Sequence, residues 1–179
     1  MTTPCATIEP GEEEIIMRIP KIAVLAASAI LLLSSIVQSV AAEAFSAVDG
    51  QEVRALFLRQ AAGETAHDLA AIDGVLAHTA SGQPDPVNFV ARAYRFWGRE
   101  AVLDHFRTTF TATWRFEPDQ DAIRIVPIGA DVAHIYAPTN ITIGAAGQPG
   151  TAYPFLVNEF AIRTAEGWRI STIVPVPTQ

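Results

Sequence analysis

Tyr94-Arg95-Phe96-Trp97-Gly98-Arg99-Glu100-Ala101-Val102-Leu103-Asp104-His105-Phe106 is the stretch whose reading decides the fold of this 179-residue chain. It predicts the end of an aromatic strand, a glycine corner at Gly98, and an amphipathic helix over 99–110. Val102, Leu103, Phe106 and Phe110 fall on one stripe of that helix, at the i, i+3, i+4 spacing of a half-buried face. Upstream the chain carries helical patterns, and downstream the apolar period becomes two.

Working back from Tyr94, strand Val87 to Val90 follows the loop Ser81-Gly82-Gln83-Pro84-Asp85-Pro86, whose residues punctuate regular structure. Before the loop, Thr65 to His78 reads as a helix with Leu69, Ile72, Val75 and Leu76 on one face. Asp49 to Ala62 reads as another, presenting Val53, Leu56, Phe57 and Gln60-Ala61. Asp49 suits the N-cap, with Glu52 completing a capping box, and Gly63 ends or bends the helix. Working forward, Trp114 and Phe116 alternate with Arg115 and Glu117, and Ala122 to Ile128 is an apolar strand. Val132 to Ile143 is a long strand. Tyr153 to Arg163 and Trp168 to Val174 form a closing hairpin, after which Pro175 and Pro177 argue against a central ladder. Helices followed by long antiparallel strands in hairpin order predict an α+β fold.

The first 44 residues read differently. Ile22 to Val37 is an uncharged apolar run, preceded by Arg18 and Lys21 and followed by small residues, the order of a secretory signal peptide. The run is shorter than a spanning helix requires. Cleavage after Ala42 or Ala44 fits equally well, and the product is secreted or periplasmic, off the membrane once cleaved. Met17 restores a basic start to this leader, so residues 1–16 read as an upstream extension, 17–44 as the signal peptide and 45–179 as one domain. The single cysteine, Cys5, lies in the extension, which leaves the domain without disulfides and dependent on its core. The chain has a formal charge of −7 and no basic run, which argues against nucleic acid as a partner.

Three short motifs span the domain. Ala66-His67-Asp68-Leu69-Ala70-Ala71-Ile72, Phe96-Trp97-Gly98-Arg99-Glu100-Ala101-Val102 and Glu166-Gly167-Trp168-Arg169-Ile170 together resemble the NTF2-like superfamily, its SnoaL-like and DUF4440-type members in particular. The resemblance implies a cone-shaped, curved antiparallel sheet closed by three helices around a pocket. It also implies homodimers, because members often pair through the outer sheet face. It does not choose an activity, since the superfamily spans isomerases, cyclases, dehydratases and ligand-binding modules.

Strand parity sorts the candidate site residues. Leu156, Asn158, Phe160 and Ile162 are expected to face inward, leaving Val157, Glu159 and Arg163 outside. Asn158 then either orients a ligand or is a satisfied core amide. The expected pocket wall is Trp114, Phe116, Asn158, Phe160, Trp168 and Ile170, with Tyr94 and Trp97 at the mouth. His134 and Tyr136 share the polar face of their strand with Asn140 and Thr142. They suit acid–base chemistry if a bulge near Pro138 turns them inward, and a dimer interface otherwise. His105 reads as a packing histidine, and His67 and His78 as solvated. By the same parity no Asp or Glu points inward from a late strand, which argues against the acid–base chemistry the resemblance would otherwise allow. The four histidines show no metal-ligand spacing, so no metal or cofactor is expected. The expectation is an exported module binding a small apolar or aromatic ligand. The alternatives are an isomerase, cyclase or hydrolase using His134, Tyr136 or Asn158, and a structural dimer module.

Overall fold

The computed structural model describes residues 44–79, 82–92 and 94–178. The readings of the extension, the leader and Cys5 fall outside the described residues, apart from Ala44.

Helix α1 spans Ala47–Ala66 and is longer than its apolar pattern suggested at both ends. Ser46, rather than Asp49, is the N-cap. Asp49 sits at N3 and closes a capping box, its amide donating to Ser46 Oγ at 3.2 Å while Ser46 N donates to Asp49 Oδ2 at 2.7 Å. The same carboxylate accepts from Trp168 Nε1 at 3.1 Å and pairs with Arg163 Nη1 at 2.8 Å, and the Arg163 guanidinium lies 4.7 Å over the Trp168 ring. The closing hairpin thus clamps the start of α1. Arg163, followed by the Ser46 and Trp168 hydrogen bonds, holds the Asp49 carboxyl well below the usual carboxylate range.

Gly63 does not end α1. A Cβ there would meet Ala71 Cβ at 3.0 Å, so its missing side chain lets helix α2, Leu69–Val75, pack close. The helix ends instead at His67, left-handed at φ 55°, and Asp68 caps α2. His67 is anchored rather than merely solvated. Its ring stacks on Phe110 at 5.0 Å, and Nε2 lies 3.0 Å from the Trp114 carbonyl.

Strands β1 (Asn88–Ala91) and β2 (Tyr94–Trp97) form a hairpin that leads through Gly98, at φ 91°, into α3, Arg99–Thr109. That positive φ suits glycine alone. Asp85 supplies the cap that Gly98 cannot, accepting from Arg99 N at 2.8 Å, and Arg99 pairs with Asp73 to tie α3 to α2.

Five further strands follow, β3 (Thr113–Pro118), β4 (Arg124–Pro127), β5 (Val132–Gly144), β6 (Thr151–Thr164) and β7 (Gly167–Pro177). The sheet order is β2-β1-β7-β6-β5-β3, with β4 also on β5. The expected all-antiparallel sheet is corrected to a mixed one, because β1 runs parallel to β7. The chain leaving α2 already runs alongside β7 in the same direction, with Leu76 bridging Ile170 and Ala77 N donating to its carbonyl at 2.8 Å. Strand β7 continues through Pro177, further than its prolines suggested. Beyond Ile173 it has no partner strand but β6 among the described residues, so a proline lacking N–H costs an edge rather than a ladder. The register shift lies at Ser171, opposite Phe160 and Ala161, rather than near Pro138.

Val53, Leu56, Phe57 and Ala61 of α1 pack with Ile72, Val102, Phe106, Ile135, Ala137, Val157 and Ile170 to form one core between helices and sheet.

Candidate functional site

The inner face of the sheet follows from β5, where Ala133, Ile135, Ala137 and Ile141 are all buried. Cross-strand pairing sets Ala161, Glu159 and Val157 opposite Ala133, Ile135 and Ala137. The inward set of β6 is therefore Val157, Glu159 and Ala161, all at 0% exposure. Asn158, Phe160 and Leu156 face outward, which reverses the parity expected from the sequence. The expectation that no acid points inward from a late strand is overturned with it, by Glu159. The physical reason is that the outer residues of β6 are the more apolar set, so hydrophobicity alone picks the wrong face.

Glu159 meets a second buried acid. On α1, Gln60 and Glu64 are one turn apart on the buried stripe. Gln60 Nε2 donates to Glu64 Oε1 at 3.0 Å and to Glu159 Oε1 at 2.8 Å, bridging the two carboxyls. Trp114 Nε1 donates to Glu64 Oε2 at 3.0 Å. Gln60 Oε1 and Glu159 Oε2 are left, buried and without a hydrogen-bond partner. A neutral carboxyl on Glu159 would bring the additional O–H donor that such a cluster of acceptors requires. Burial pushes the Glu64 carboxyl up to about 7 and raises Glu159 well above the ordinary range, with the Glu64 charge adding to the rise.

Toward the open end of the sheet the inner face widens into a cavity of about 460 Å³ between the sheet and α3. Phe89, His105, Trp114, Ile141 and Phe155 form its body, and Arg92, Tyr94, Ile143, Tyr153 and Pro177 also line it. His105 has both rings of the Phe89–Phe96 pair 4.5 Å from its own, so it packs as expected, yet it also borders the cavity. Burial lowers its pKa and favours the neutral ring. Trp114 belongs to both regions, lining the cavity while its N–H holds Glu64. Glu159 does not line the cavity and lies about 13 Å along β6 from Phe155.

Of the pocket wall expected from the sequence, Tyr94 and Trp114 line the cavity. Phe116 is buried core, edge-on to Phe57 at 6.0 Å. Trp168 and Ile170 are also core, with Trp168 edge-on to Phe45 at 5.6 Å. Trp97 pairs opposite Asn88, on the face of β2 away from Tyr94, and is 68% exposed. Phe160 faces outward and stacks with His134 at 5.2 Å. His134, Tyr136 and Asn158 do come together, on the outer face. His134 Nε2 lies 3.1 Å from Asn158 Oδ1, and Tyr136 is the cross-strand neighbour of Asn158. Among the described residues no group of three or more His, Cys, Asp and Glu is placed to hold a metal ion.

No protein-family model matches the chain, and no curated protein matches it. Solved structures do. A candidate dehydratase of the NTF2-like family from Streptomyces avermitilis superposes with a TM-score of 0.62 at 16% identity, over 73% of this chain and 97% of its own. An NTF2-like superfamily protein from Salmonella enterica serovar Typhimurium gives 0.64 at 13% identity, over 74% and 92%. An NTF2-like protein with a cystatin-like fold from Novosphingobium aromaticivorans gives 0.57 at 16%, over 88% and 90%. At these identities the likeness is one of fold.

Proposed function

We propose that this chain, with its NTF2-like fold, is an exported module that holds a small apolar or aromatic ligand in the cavity between α3 and the open end of the sheet. The supporting observation is the cavity itself, about 460 Å³ and walled mainly by aromatic and aliphatic side chains. That size and lining suit a small-molecule site. Calorimetric titration with 2-naphthol tests the reading. Binding is expected in the wild type, and Ile143→Trp, which brings a bulky ring to the lining, is expected to weaken it about tenfold or more. A wild type that gives no binding heat, or a variant that binds equally well, would remove the cavity as the site.

The two inward carboxyls favour a second reading, an acid–base enzyme of the isomerase, cyclase or hydrolase kind. Their placement ranks it below the first. Glu64 is separated from the cavity by Trp114, and Glu159 lies deeper still, so neither touches a bound molecule unless Trp114 moves. His134, Tyr136 and Asn158 sit on the opposite face of the sheet.

That outer face suits a second copy of this chain. Trp97, Val126 and Val176 are exposed on it beside the half-buried Phe160 and His134. Sedimentation equilibrium is expected to give a dimer that Phe160→Glu dissociates, and a wild-type monomer at every concentration would exclude this pairing.

A further inference from the structure

Among the residues that line the cavity, Arg92 carries the only formal positive charge, and none is acidic. Arg92, like Arg59, Arg95 and Arg124, has no ion pair or hydrogen bond from its guanidinium to any described residue, whereas Arg99, Arg107, Arg115, Arg163 and Arg169 pair with acids. Of the unpaired four only Arg92 lines the cavity. Its backbone is also unusual. Arg92 occupies the tight connection between β1 and β2 at φ 50°, a left-handed conformation that favours glycine or asparagine in such hairpins. An arginine held there carries strain that asparagine would relieve, and outliers of this kind cluster at ligand sites. A protein of net charge −7 thus places one unpartnered cation at the rim of an apolar cavity.

We propose that the ligand is an organic carboxylate, an apolar and preferably aromatic body that fills the cavity with its single carboxylate on the Arg92 guanidinium. The inference rests on the cavity reading above and sharpens it. A guanidinium presents its donors as a planar fork that matches the two oxygens of a carboxylate. One cation, with no glycine-rich loop beside it, suits a singly charged head better than a polyphosphate, which takes several donors. The neutral imidazole of His105 adds one N–H donor within the aromatic wall.

The test is titration calorimetry with 2-naphthoate and its uncharged isostere 2-naphthamide, on the wild type and on Arg92→Asn and Arg92→Lys. The wild type is expected to prefer the acid by about three- to fivefold, the scale of a solvent-exposed ion pair. Arg92→Lys is expected to keep part of that preference and Arg92→Asn to abolish it. Because asparagine suits the left-handed turn, the melting temperature of Arg92→Asn should not fall, so a lost preference cannot be ascribed to unfolding. Equal binding of acid and amide by the wild type overturns the carboxylate assignment while leaving the cavity reading intact. An undiminished preference in Arg92→Asn overturns the role of Arg92. Failure of both probes to bind overturns the cavity reading and this one together.

Discussion

Glu159→Gln is expected to stabilise the protein at pH 8 by about 2–3 kcal/mol, seen as a rise in melting temperature of roughly 5–10 °C. Glu64 and Glu159 have folded-state pKa values raised by burial above the ordinary 4.5, Glu64 to about 7. The native state therefore holds protons that the unfolded chain has released. The stability carried by the neutral carboxyls is complete below pH 4.5 and is lost as pH rises through each folded value, about 7 for Glu64 and well above the ordinary range for Glu159. For Glu64 alone the span corresponds to about 3 kcal/mol. A glutamine at position 159 cannot ionise and keeps an acceptor for Gln60 Nε2. It also brings an N–H that can serve Gln60 Oε1, and it removes the neighbour whose charge opposes that of Glu64. Thermal melts of the wild type from pH 5 to 8 should slope downward, and those of Glu159→Gln should slope less. A flat wild-type profile, or a variant that melts lower at pH 8, would show that the carboxyls are not held neutral. On the acid side Asp49 has the opposite sign. Its lowered pKa gives stability that is present above pH 3.8 and lost as pH falls through the folded value. The most stable pH should lie between the two limbs.

Gln60→Leu is expected to cost about 3 kcal/mol, because it strands Glu64 Oε1 and Glu159 Oε1 in a sealed core with no donor. The loss should be larger at pH 8 than at pH 5, since the stranded groups are most costly when charged. The double variant Gln60→Leu, Glu159→Met should regain only the part due to Glu159, since that carboxyl is gone while Glu64 Oε1 still lacks its donor. Urea midpoints at the two pH values measure all three quantities, given an unchanged m-value. If Gln60→Leu unfolds at the wild-type midpoint, the amide is not bridging the acids.

Half of this cluster was legible in the sequence. Val53, Leu56, Phe57, Gln60 and Ala61 define a helical stripe, and Glu64 is its next position, one turn beyond Gln60. A buried amide followed by a buried acid at i+4 can be read from spacing, provided Gly63 is not taken as the end of the helix. The same spacing logic placed α3 within one residue and located Gly98 as the corner, because the 3.6-residue period and a glycine turn are local properties of the chain. The resemblance carried by the Phe96–Val102 and Glu166–Ile170 motifs led to the right fold for that reason.

Glu159 was not legible, and neither were the true positions of Asn158, Phe160 and Trp97. Along β6 the outward set, Leu156, Asn158, Phe160 and Ile162, is more apolar than the inward one, Val157, Glu159, Ala161 and Arg163, so hydrophobicity points to the wrong face. Only the register with β5, whose inner face is unambiguous, decides between them, and that register is set by the hairpin loop 145–150. The cavity is likewise a tertiary property. Arg92, Phe89, His105, Trp114 and Phe155 come from the hairpin connection, β1, α3, β3 and β6, and no spacing in the chain predicts their meeting. By itself the sequence determined the elements and the fold, which depend on short-range periodicity and turn chemistry. The tertiary structure alone decided which face of β6 is inside, because that choice belongs to its pairing with β5 rather than to β6 itself.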